Sequence, residues 1–278
     1  MLFAKAGEYQ SCGMFTTGHF ELIIITIFGI VIALKNTINK TKEEVKQIIK
    51  RCIIAMWVLE VIKIAFKLCT EDISNLNNYV PLYYCSILLY AGLLSSFAKN
   101  RLKRVGDVFL ATGGIIGEIV FMILPTTSLP AYPMLHIVSL HSFLYHGTMV
   151  YLGLLINAIH YIELEVSDIK YYATLVGTVC ILAYIINKIF DCNLMFISKN
   201  FPGTPIEILY NITGQFFTPI IYVAQMTLPF YIVYGIKNVN WAKKEPSPNC
   251  PSLLLGQKKN RPPIAQLTKR GCRNEKSN

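Results

Sequence analysis

Charge is scarce in this sequence: 15% of its 278 residues are Asp, Glu, Lys or Arg, against 53% that are hydrophobic. That balance excludes an ordinary soluble domain, whose solvated surface needs far more charge. Also lacking is the alternation of apolar and polar residues that barrel strands require. The long apolar runs therefore read as helices, the other structure that satisfies its own backbone hydrogen bonds in lipid. Cysteine is present, eight residues in all, but without metal-like spacing. Cys52, Cys69, Cys85 and Cys180 lie in or at the ends of apolar runs and read as reduced, buried thiols. No Gly-rich phosphate loop, His-Glu-x-x-His metal helix or Gly-x-Ser-x-Gly elbow occurs, so neither a metal nor another cofactor is expected. The first ten residues hold no n-region, h-region and cleavage site in order, and no removable signal peptide is expected.

What is there is a series of apolar runs bounded by charge, Pro or Gly: Gly18–Leu34, Ile48–Cys69, Val80–Ala98, Val105–Leu124, Met134–Ile159, Tyr171–Ile189 and Ile208–Gly235. Each is close to the roughly 20 residues a helix needs to cross the hydrocarbon core. The expected fold is an all-α, polytopic bundle of seven transmembrane helices. Residues 1–17 form an N-terminal segment, 18–236 the membrane domain and 237–278 a basic, disordered tail. The net charge of +10 is explained by topology rather than by nucleic acid, because the basic residues sit between the runs and in the tail. Lys35, Lys40, Lys42, Lys46, Lys50 and Arg51 fill the first gap; Lys99, Arg101, Lys103 and Arg104 fill the third. Both gaps are expected in the cytoplasm, which places the N-terminus outside and the C-terminus inside.

Ionisable side chains in such helices cost about 2.5–3.5 kcal/mol each on insertion scales. Glu60, Lys63 and Lys67 share one face of the second run, and Glu60 with Lys63 can neutralise each other. The fourth run aligns Asp107, Ala111, Gly114 and Glu118 beside Gly113-x-x-x-Gly117, a spacing that lets another helix approach closely. Glu118 is open to several readings: a proton site, a cation site, or a partner for a lysine such as Lys63. On the fifth run Ser139, Ser142, His146, Gly153 and Asn157 fall within about 60° of one another and face the interior, with His141 projecting away from His146. His146 reads either as a hydrogen-bonded packing residue or as a catalyst. Cys85, expected on one helix face with Gly92 and Ser96, reads either as a small buried thiol or as a nucleophile.

The order of motifs resembles the YwaF-type integral membrane proteins of bacteria. Pro81-Leu82-Tyr83-Tyr84-Cys85 opens the third run, and the Gly-rich fourth run ends in Pro125. Tyr145-His146-Gly147 lies in the fifth, Asn193-Leu194-Met195-Phe196 follows the sixth, and His19 opens the first. That family is similar to an animal transmembrane acyltransferase acting on ether phospholipids, with a cysteine in the third-run motif and a histidine in the fifth. The resemblance carries that histidine onto His146. Leu82 stands where the animal enzyme has its cysteine, and Tyr83 where both patterns have histidine; Cys85 matches the cysteine of the bacterial pattern. A shift of three residues along a helix keeps the same face about 4.5 Å away, so Cys85 can take the role.

Three functions remain open. The first is lipid acyl transfer or hydrolysis by Cys85 and His146, with Asn157, Asn193 and Glu118 binding or orienting an acyl-lipid substrate drawn from the membrane. The second is a transporter or small-molecule binder whose Glu60/Lys63 and Asp107/Glu118 faces line a polar path. The third is a membrane scaffold. A bacterial host would place the chain in its plasma membrane.

Overall fold

The computed structural model describes residues 1–71 and 75–242. The compact unit runs Met1–Val239, and nearly all of the expected basic tail lies outside the described residues. Among the described residues the chain is all-helical, without strands. The helices are α1 (Thr17–Thr37), α2 (Lys42–Thr70), α3 (Ile87–Phe97), α4 (Asn100–Ala111), α5 (Gly113–Ile123), α6 (Ile137–Ala158), α7 (Ile169–Phe190), α8 (Pro205–Thr213) and α9 (Phe217–Ala242). Among the described residues four helical stretches are long and apolar enough to cross a membrane: Thr17–Thr37, Asn100–Ile123, Val166–Phe190 and Pro205–Asn238.

Helix starts follow from the residues available. Thr16 caps α1 by accepting the His19 amide. At α2 a capping box forms, Thr41 accepting the Glu44 amide at 3.3 Å while Glu44 accepts the Thr41 amide at 2.8 Å. The Lys40 ammonium and the amide and hydroxyl of Thr41, all donating to the Glu44 carboxylate, lower its pKa from the ordinary value to about 2.

Three of the apolar runs are not the simple helices expected. Pro81 disfavours helical geometry at Val80, and residues 83–89 advance by successive short turns: Ser86 N–H to Tyr83 O (2.9 Å), Ile87 N–H to Tyr84 O (3.2 Å), Leu88 N–H to Cys85 O (3.3 Å). Helix α3 therefore begins only at Ile87, and its length of about 16 Å falls short of a roughly 30 Å hydrocarbon core. Cys85 sits on the turn, not on the helix face expected for it. The fourth run breaks at Thr112 (φ −127°, ψ −84°) into α4 and α5. The seventh breaks at Gly214, whose positive φ of 51° favours glycine.

Close approach between helices rests on small residues, as lipid-embedded packing requires. Gly106 of α4 lies directly against the Ala91 carbonyl and Ser95 amide of α3, and Gly153 of α6 against Ile115 of α5. Around these contacts Ile53, Leu88, Val108, Phe109, Leu152 and Val176 are fully buried.

The loops gather at two ends. At one, Lys42 donates to Tyr161 O (3.3 Å), Lys103 to the Tyr161 hydroxyl (3.3 Å), and Arg104 to Asp168 and to Glu163 O (both 2.5 Å). At the other, Gly7 N–H donates to Ala131 O (3.3 Å) and Cys12 N–H to Tyr132 O (2.9 Å). There too, Asn193 N–H reaches Asn77 Oδ1 (2.9 Å).

Candidate functional site

Segments that lie far apart in the chain meet around a cavity of about 610 Å³. Helix α2 supplies Glu60, Lys63 and Lys67, and the turn before α3 supplies Tyr83, Tyr84 and Cys85. Helix α6 supplies His141, Tyr145 and His146, and the loop after α7 supplies Asn193 and Phe196. Irregular backbone at membrane depth is tolerated where it lines a cavity, and both the 83–86 turn and the 193–196 loop do so.

The loop is braced from several sides. Asn193 Oδ1 accepts the Ser198 and Lys199 amides (3.1 and 3.0 Å), Asn187 bonds both the amide and the carbonyl of Leu194, and Gln225 donates to Met195 O (2.9 Å). These bonds hold Met195 and Phe196 at positive φ (58° and 53°), a conformation that costs energy outside glycine. Phe196 then meets the Tyr83 ring at 5.1 Å.

His146 is held on three sides. Its Nδ1 stands 2.5 Å from Ser142 O, which only accepts, so Nδ1 carries the proton. The Phe121 ring stacks on its face, centroids 3.5 Å apart and planes 8° from parallel. Its Nε2 faces Glu118 Oε2 at 3.3 Å, with the residues 5% and 1% exposed. Neither of these two atoms makes a hydrogen bond among the described residues, and the same is true of the buried Tyr145 hydroxyl. Unsatisfied buried polar atoms are uncommon in folded proteins and mark a place where something polar belongs. Cys85 is a free, partly buried thiol within electrostatic range of Glu118, Lys63 and Glu60. Leu82, at the position of the animal enzyme's cysteine, packs against the core and does not line the cavity.

A profile of the TMEM164 family matches residues 14–235. The chain belongs to the TMEM164 family. No curated protein and no solved structure matches it. The family and the four candidate spans make this a membrane protein, and every residue lining the cavity falls inside the matched stretch.

In this TMEM164-family chain the candidate residues divide. Cys85, His146 and Asn193 line the cavity; Glu118 does not, and its carboxylate lies 3.3 Å from His146 Nε2. Asn157 does not line it, since its Nδ2 donates to Ala111 O (2.7 Å) and Gly153 O (2.9 Å). The first of these bonds satisfies a carbonyl left over by the break at Thr112. Among the described residues Glu118 pairs with no lysine; Lys63 holds Glu60 at 2.6 and 2.7 Å, and Lys67 lies 3.4 Å from Glu71. Asp107, expected on the Glu118 face, is bound by Ser95 (2.6 Å) and Lys103 (2.5 Å). His141, expected to project away from His146, lines the same cavity and lies 3.9 Å from Glu60. Five residues rotate a helix by only about 140°, and neighbours on both flanks enclose both rings.

Sequence reasoning also missed Phe121, Tyr145 and Tyr84. The glycine spacing was a signal misread for Tyr84. A Cβ on Gly113 would lie 2.6 Å from the Tyr84 hydroxyl and one on Gly117 2.5 Å from its ring, so these glycines admit a tyrosine rather than a helix backbone. Tyr84 in turn hydrogen-bonds Tyr172. His19 is a tie between helices, accepting the Phe15 amide on Nδ1 (3.0 Å) with Nε2 on Met122 O (2.9 Å). Among the described residues no cluster of three metal-ligating side chains occurs.

Proposed function

We propose that the chain is a polytopic membrane enzyme that moves or hydrolyses acyl chains of membrane lipids through Cys85 and His146. The observation that carries this reading is His146 Nε2. Among the described residues it makes no hydrogen bond, while Ser142 and Phe121 hold the ring in place in a cavity whose wall includes the Cys85 thiol. In the proposed reaction Nε2 takes the Cys85 proton and the thiolate attacks the ester carbonyl of a lipid. The carbon–oxygen bond breaks and the leaving alkoxide takes that proton from His146. A second hydroxyl, from a lysolipid or water, then returns its proton through Nε2 as it attacks the thioester, restoring the thiol. Glu118 balances the imidazolium present between these steps. The resemblance to the YwaF-type proteins and, through them, to the ether-phospholipid acyltransferase supports the same chemistry.

Seven crossings, N-terminus outside and C-terminus inside, belong to this proposal. Support comes from the gathering of the basic loops with Tyr161, Glu163 and Asp168 at one end, and of the N-terminal segment with residues 129–132 at the other. α4 with α5, and α8 with α9, then each make one interrupted crossing. A second reading, a small-molecule binder or transporter, draws on the Glu60–Lys63 pair and Lys67 in the same cavity.

Lipidomics of cells carrying wild type, Cys85→Ala or His146→Ala separates them. Enzymatic action requires both substitutions to shift the same acyl-lipid pools as deletion of the protein does. Pools that respond to deletion but not to either substitution sink the Cys/His chemistry and leave the transport reading.

A further inference from the structure

A second, smaller cavity of about 320 Å³ opens along the seam of α2 and α6. Its walls are hydrocarbon or aromatic, among them Leu59, Ile62, Phe66, Leu140 and Leu144, with Lys63 and His141 as the polar members. Ile62 and Leu144 are 47% and 57% exposed, so the groove faces outward between helices rather than into the core. Three residues, Lys63, Val138 and His141, also line the central cavity, which makes the two spaces neighbours across a shared wall.

That wall has a particular chemistry. The Lys63 ammonium is occupied by both oxygens of Glu60. The His141 ring, nine-tenths buried, lies near the Leu59 backbone and the Glu60 carboxylate but makes an aligned hydrogen bond with neither. Its ring stacks at 5.6 Å on Tyr145, whose buried hydroxyl also lacks a partner, and Tyr145 abuts His146 at 5.2 Å. Unpaired polar groups thus run from the apolar groove toward His146. A buried N–H or O–H without a partner asks for an acceptor. An ester offers acceptors only, attached to a chain that suits the apolar groove.

We infer that the α2–α6 groove is the binding site for one hydrocarbon chain of a membrane lipid, whose ester group crosses into the central cavity between His141 and Tyr145. This deepens the proposed function and rests on it for the identity of the ester. The groove fixes where the chain lies, and so which chains reach Cys85. Leu2, near the Phe66 end, contributes to its lining, so the N-terminal segment shares in selecting the chain.

The test uses the purified full chain in phosphatidylcholine vesicles containing a phosphatidylcholine with a diazirine in one acyl chain. After irradiation, labelled peptides are identified by mass spectrometry. Labels are expected on the stretches 59–66 and 137–144, reduced at least about threefold in Ile62→Trp/Leu140→Trp, which fills the groove from exposed positions. Labels spread over the outward faces of α1 and α7 and unaffected by the tryptophans would overturn the inference. In acyl transfer, the tryptophan variant is expected to lose about tenfold with a long-chain donor and nothing with a water-soluble short-chain ester. Equal loss with both donors would overturn it as well. Groove labelling in a protein without transfer activity upholds the chain site and removes the catalytic reading. Transfer without groove labelling does the reverse.

Discussion

At the residue scale the proposed chemistry turns on Cys85 and His146. His146 was visible because a histidine in an apolar run beside serines and small residues can only be sheltered by other protein. What the sequence could not show is its setting: a Ser142 carbonyl one turn away on the same helix, a Phe121 ring stacked at 3.5 Å, and the Glu118 carboxyl at 3.3 Å. The last two depend on how α5 meets α6. Cys85 was visible at the head of the third run, as either a buried thiol or a nucleophile, and again through its motif. The expectation that it sits a helical turn below position 82 fails, because Pro81 delays the helix to Ile87 and the intervening turns direct Leu82 to the core and Cys85 to the cavity. Glu118→Gln keeps the shape of the carboxyl and removes its charge. It is expected to lower kcat for acyl transfer by about one to two orders of magnitude with little change in KM, measured on the purified protein. An unchanged kcat would remove Glu118 from the mechanism.

At the element scale, apolar runs foretold the helices to within a few residues where nothing interrupts them: Gly18–Leu34 became Thr17–Thr37, and Tyr171–Ile189 became Ile169–Phe190. The interruptions were not legible, because hydropathy is blind to a break whose stray carbonyl is satisfied by a residue 46 positions away, as Ala111 is by Asn157. Asn157→Ala should therefore leave that carbonyl unpaired and cost about 1–3 kcal/mol, read as earlier thermal unfolding in detergent. A variant as stable as wild type would show that the break does not depend on Asn157. Gly117→Ala should press its methyl into the Tyr84 ring, costing about 1–3 kcal/mol if the ring cannot yield. Because Tyr84 adjoins Cys85, transfer should fall with it; intact stability and activity together would mean that the turn before α3 gives way freely.

At the scale of the whole molecule, Lys42 from the first basic gap and Lys103 and Arg104 from the third converge on residues 161–168. Membrane-impermeant thiol labelling of intact cells tests the sidedness. With Cys12, Cys69, Cys250 and Cys272 replaced by serine, Tyr9→Cys should label from outside, whereas Ser167→Cys should label only after permeabilisation; the opposite pattern inverts the bundle. The convergence of four separated motifs on one cavity was not legible, because it arises from the packing of α2, α5 and α6 and not from any local pattern. The proposed function rests on that convergence, and the most direct measurement is the mass of the purified protein after incubation with an acyl-lipid donor. An acyl group on Cys85, released by hydroxylamine and absent in Cys85→Ala and His146→Ala, is the expected result. Acyl transfer that continues in Cys85→Ala, or an adduct that forms on another residue, would contradict it.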